Sequence, residues 1–158
     1  MTFMQRFRYW VPVVVAMAFI YWMSTDAFSA KNTYRFIDPL IRFFAPSLSR
    51  KEIYLVHALI RKLAHVTEYF ILGLLLFRAF RAGSGERQWW KWAAASLAVL
   101  ALYAAGDEIH QSFVSTRTPS LFDVGIDAVG GLLAQCVSVV WYRRRRPTAG
   151  SGPASLQR

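Results

Sequence analysis

The sequence has one cysteine, Cys136, in 158 residues, and only nine acidic residues against nineteen lysines and arginines. One cysteine excludes an intramolecular disulfide and any cysteine-based metal site. Its small, apolar neighbours predict a buried side chain. No basic face on a soluble module is visible, so the net charge of +10 speaks for membrane topology and anionic-lipid contact, and against nucleic acid. A small-x-small cleavage site is also missing after the first apolar run, because Asp26 and Phe28 stand where small residues should. That run therefore reads as an uncleaved helix.

What is present is apolar residue in unbroken blocks: 55% of the chain is hydrophobic and 16% aromatic. The pattern predicts an all-α, polytopic membrane protein, a bundle of four transmembrane helices at about 7–24, 50–80, 88–110 and 121–142. They form a single domain over residues 1–142. Pro12 falls in the first turn of helix 1, and Trp10 and Trp22 read as interface anchors. Residues 25–48, with Pro39 and Pro46, predict an interfacial loop with a short amphipathic turn. Ser49-Arg-Lys-Glu52 has the form of a capping box opening helix 2. Trp89, Trp90 and Trp92 suggest an aromatic belt, and Gly73, Gly130 and Gly131 suggest close helix approach. Residues 143–158 read as a basic, disordered tail. Arg6, Arg8, the Arg78–Lys91 segment and the 143–146 run favour cytoplasmic termini, against a smaller set of positives on the other side.

With that topology, helices 2, 3 and 4 carry their ionisable groups to one depth near the external interface. His57, Arg61, His65 and Glu68 follow one stripe of helix 2, with Tyr69 beside it. Asp107 and Gln111 are one turn apart on helix 3, as are Asp123 and Asp127 on helix 4. A carboxylate at the bilayer centre costs about 2.5–3.5 kcal/mol on insertion scales, so these groups should face one another or a cleft.

Three chemistries fit. One is a polar-headgroup site in which Lys62 and Arg117 hold the phosphate or carboxylate of an amphiphile. Another is an intramembrane enzyme in which Glu68, His65 and Asp107 do the chemistry, either as an acid–base set or around a divalent metal. The third, ion transport, ranks last, because four helices leave little room for a pathway. A purely structural network of interhelical hydrogen bonds is the plain alternative, though each such bond averages only about 0.6 kcal/mol.

Three separated motifs, RKLAHVTEYFILGLLL, DEIHQSFVSTR and DVGIDAVGG, resemble the VanZ-like family of small bacterial membrane proteins over residues 61–131. The family pattern is Lys-x-x-His-x-x-Glu-Tyr, then Asp-Glu-x-x-Gln, Arg, and Asp-x-x-x-Asn-x-x-Gly. The resemblance implies that Lys62, His65, Glu68, Tyr69, Asp107, Glu108, Gln111, Arg117 and Asp123 are functional positions. Asp127 departs from the usual Asn, and the segment before Arg117 lacks the usual Pro-Gly turn. The resemblance further implies a multi-pass protein of the bacterial cytoplasmic membrane, with lipids or a lipid-linked cell-wall precursor as partners. The family takes its name from a protein conferring resistance to teicoplanin.

Overall fold

The computed structural model describes residues 3–83, 88–114 and 121–145. Among the described residues five helices make the fold: α1 Phe3–Met23, α2 Ala30–Phe44, α3 Arg50–Gly83, α4 Trp89–Ser112 and α5 Leu121–Arg144. A single 3-10 turn, Asp26–Phe28, separates α1 from α2. The segment around residues 84–87 and the tail from residue 146 lie outside the described residues.

By length and composition α3, α4 and α5 can each cross a membrane, and α1 with α2, bent by 67°, makes up to a fourth span. The distribution of polarity agrees. Val14, Phe19, Leu102, Leu132 and Val137 face outward, while Asp107, Glu108, Gln111, Asp127 and Gln135 are buried. Water as solvent would select the reverse; lipid tolerates the apolar exterior and drives ionisable groups inward.

Pairing fixes the topology. His65 meets Asp127, and Gln135 donates to the Gly73 carbonyl, both across 62 residues. A constant offset means that α3 and α5 run parallel in register. Ser24 meets Asp107 and Tyr103 meets Met17, so α1 and α4 also run parallel, opposite to the first pair. Close packing of α3 on α5 depends on glycine: a Cβ at Gly130 would strike the Val66 carbonyl oxygen, and one at Gly73 would lie 2.6 Å from Ala134 Cβ. Val13, Ile20, Tyr69, Leu72, Leu76, Leu100 and Ala104 form the apolar core.

The capping box forms as read. Glu52 accepts from the Ser49 backbone N–H at 2.7 Å, and Ser49 Oγ accepts from the Glu52 N–H at 3.4 Å. Four local expectations differ. The helix 1–2 connection is a 15-residue amphipathic helix, α2, that accommodates Pro39 inside it and exposes Phe36, Phe43 and Phe44. Pro12 lies well inside α1, because residues 3–11 are helical too. Trp92 is buried against Phe77 and Tyr142, since its face of α4 turns to α3 and α5 and away from a belt. Cys136 is exposed on α5: lipid supplies its apolar surroundings, while its neighbour Gln135 turns inward.

Candidate functional site

One end of the bundle gathers most of the polar side chains, and α3 organises them. His57, Arg61, His65 and Glu68 recur at helical spacing along one face, so they stack into a column. A cleft opens on each side of that column. The first, about 180 Å³, includes Tyr54, His57, Arg61, Lys62, His65 and Asp123. The second, about 150 Å³, runs between the end of α1, α2 and α3 and includes Ser24, Thr33, Arg61, His65 and Glu68. Arg61 and His65 border both. A third cavity of about 270 Å³, almost wholly apolar, lies between α4 and α5, with Tyr69 and Asp127 in its wall.

Two hydrogen-bonded groups stiffen this end. Nδ1 of His65 stands 3.2 Å from Oδ1 of Asp127, joining α3 to α5. Ser24 Oγ and Gln111 Nε2 both donate to Oδ2 of Asp107, at 2.9 and 2.8 Å, tying α1 to α4. At the rim, Thr33 Oγ1 lies 3.0 Å from His57 Nε2 and donates to the Ser29 carbonyl. The Thr33–His57 contact latches α2 onto α3.

Each residue anticipated from the sequence, Arg117 excepted, has a definite place. His65, Glu68, Lys62 and Asp123 border the clefts; Lys62 also sits 4.4 Å from the Phe122 ring centroid. Tyr69 and Asp127 are fully enclosed behind them. Asp107, Glu108 and Gln111 are buried on α4. The carboxylate hydrogen-bonded to His65 belongs to Asp127, on another helix. Arg117 lies outside the described residues. Ser24, Thr33 and His57 were missed as site residues. Ser24 and Thr33 carry no signal until α1 and α2 are folded over α3; His57 was already legible on the α3 stripe, one turn before Arg61.

Three buried oxygens of this end have no protein hydrogen-bond partner among the described residues: Tyr69 OH, Asp107 Oδ1 and Asp127 Oδ2. Each such atom costs about 1–3 kcal/mol when left without a partner. No group of three His, Cys, Asp or Glu among the described residues is arranged to hold a metal ion.

Comparison with known proteins decides the family. A profile of the VanZ/LLP1 family matches residues 9–142. The chain belongs to the VanZ/LLP1 family. That match spans all five helices, well beyond the motifs at 61–131, so it includes α1 and the α2 connection as part of the VanZ domain. Comparison with curated proteins finds no match, and comparison with solved structures finds none either. A VanZ-family, multi-pass membrane protein is thus what fold and family together give.

Proposed function

We propose that this VanZ-family protein binds the polar headgroup of an amphiphile at the two clefts flanking α3, from the outer leaflet of the bacterial cytoplasmic membrane, with both termini in the cytoplasm. The observation that carries this reading is the shared wall. Arg61 and His65 border both clefts, so one headgroup can be gripped from two sides. Arg61 offers the planar fork suited to phosphate or carboxylate, and Lys62 adds a point charge beside it. Glu68 and Asp123 are placed to accept from hydroxyl or amine groups of the same ligand. The apolar cavity behind Tyr69 and Asp127 suits a length of hydrocarbon chain.

A membrane lipid or a lipid-linked cell-wall precursor has this chemistry. Holding such a molecule would give this protein a route to a role in glycopeptide resistance. Arg117, from the segment between α4 and α5, is a further candidate for the anionic group.

The His65–Asp127 pair favours one second reading, an intramembrane hydrolase or transferase. A fully buried carboxylate fixing an imidazole that borders two clefts is the arrangement of an oriented general base.

Mass spectrometry of lipids extracted from purified protein tests the binding reading. Wild type should carry an amphiphile that Arg61→Gln loses at least tenfold, while Arg35→Gln, on the exposed side of α2, retains it. Identical lipid complements in all three proteins would sink the proposal. Turnover of the bound amphiphile by wild type and not by His65→Gln would establish the enzyme.

A further inference from the structure

The opposite end of the bundle has its own chemistry. Arg6, Arg8, Arg78, Arg81, Lys91 and the 143–145 arginines lie there, while the eight described carboxylates all lie toward the other end or on α2. The ninth acidic residue, Glu86, is outside the described residues, and one carboxylate would leave a large positive surplus. Between α3 and α5 at this end is a cleft of about 300 Å³. Leu74, Phe77 and Val137 form its apolar bed; Arg78, Arg81 and Trp141 border it.

Distance separates this cleft from the polar clefts. Glu68 to Arg81 is thirteen residues of one helix, about 20 Å at about 1.5 Å per residue, and Arg61 to Arg81 is about 30 Å, the thickness of a hydrocarbon core. The two sites therefore open to different leaflets.

We propose that this cleft is a binding site for an anionic phospholipid of the leaflet at the basic end. The headgroup phosphate sits between Arg78 and Arg81, and the first part of one acyl chain lies along Leu74, Phe77 and Val137. The volume is at the lower limit of small-ligand pockets, about 300 Å³, and so takes a headgroup and part of a chain but not a whole lipid. The aromatic neighbours place the cations: Arg78 Cζ lies 5.1 Å from the Tyr9 ring centroid, and Arg81 Cζ lies 5.9 Å from that of Trp141. Stacking uses the face of a guanidinium and phosphate recognition uses its edge, so the two contacts are compatible. Net negative charge on the lipid is required, because a zwitterionic headgroup would bring its ammonium into the same field of arginines. This inference is independent of what the polar clefts bind.

The test titrates phosphatidylglycerol and phosphatidylcholine into the detergent-solubilised full chain and counts bound lipids by native mass spectrometry. Wild type should bind phosphatidylglycerol at least tenfold more tightly. The Arg78→Gln/Arg81→Gln variant should lose that preference, and Arg143→Gln/Arg144→Gln should keep it. Val137→Trp changes no charge, starts from a half-exposed position and should block the cleft, so it reports on the site even if the double arginine variant fails to fold. Equal binding of the two lipids by wild type would overturn the proposal, as would equal losses in both arginine pairs. Displacement of phosphatidylglycerol by millimolar inorganic phosphate would also overturn it, by showing a free-anion site.

Discussion

His65 and Asp127 meet at 3.2 Å across the α3–α5 interface, one bordering both clefts and the other 1% exposed. The pair has a structural and a functional aspect that substitution can separate. Removing one partner of a buried pair costs about 3–5 kcal/mol, because the other is left buried alone. Asp127→Leu should therefore lower the unfolding temperature sharply. Asp127→Asn, which keeps an oxygen for His65, should lose much less. In a double-mutant cycle with His65→Ala, a coupling energy above the membrane average of about 0.6 kcal/mol is expected. A cycle that closes to zero would mean that the contact contributes nothing to stability.

Glycine offers a cleaner contrast. Gly130→Ala drives a methyl into the Val66 carbonyl oxygen, a backbone atom that cannot swing aside. Gly125, five residues earlier on α5, has nothing within 4 Å of an added Cβ. Gly130→Ala should destabilise by about 1–3 kcal/mol through forced separation of α3 and α5. Gly125→Ala should be neutral or gain up to about 1 kcal/mol from better helix propensity. Thermal melts of both variants in one detergent make the comparison.

These contrasts show what the sequence could reveal. The long apolar spans, the capping box and the gathering of the polar stripes toward one end of the bundle follow from periodicity and charge, which act locally. Gly130 as a close-packing residue was legible because small residues at a helix interface have few other uses. Trp92 and Cys136 were not legible. In lipid both faces of a helix are apolar, so hydrophobic periodicity cannot tell the protein-facing side from the lipid-facing side. Ser24 belongs to the same class: a serine at the end of α1 gains meaning only when α1 lies beside α4. The helical state of residues 30–44 was hidden by Pro39, although their amphipathic pattern was present.

The exposed thiol makes topology testable. Cys136 is exposed, so Cys136→Ala should change stability by less than about 0.5 kcal/mol. In that background single cysteines can be placed at Ser47, before α3, and at Arg144, the end of α5. With cytoplasmic termini, a membrane-impermeant maleimide applied to intact cells should label Ser47→Cys and should label Arg144→Cys only after permeabilisation. The opposite pattern would invert the protein and move the polar clefts to the inner leaflet.

The Ser24–Asp107–Gln111 contact argues for non-additive behaviour. Ser24 and Gln111 donate to the same oxygen of Asp107, while its other oxygen has no protein partner among the described residues. Ser24→Ala alone removes one donor and leaves one, so the cost should be near that of a hydrogen bond to a charged group, about 1.5–3 kcal/mol. Gln111→Leu alone is equivalent. Removing both leaves a 5% exposed carboxylate with no donor, and the double variant should lose more than the two singles combined. Adding Asp107→Asn to the double variant should recover part of that loss, since a neutral amide is cheaper to bury than a carboxylate. Unfolding measurements on the four proteins decide the point: additive losses with no recovery would mean that Asp107 draws its solvation from outside this contact.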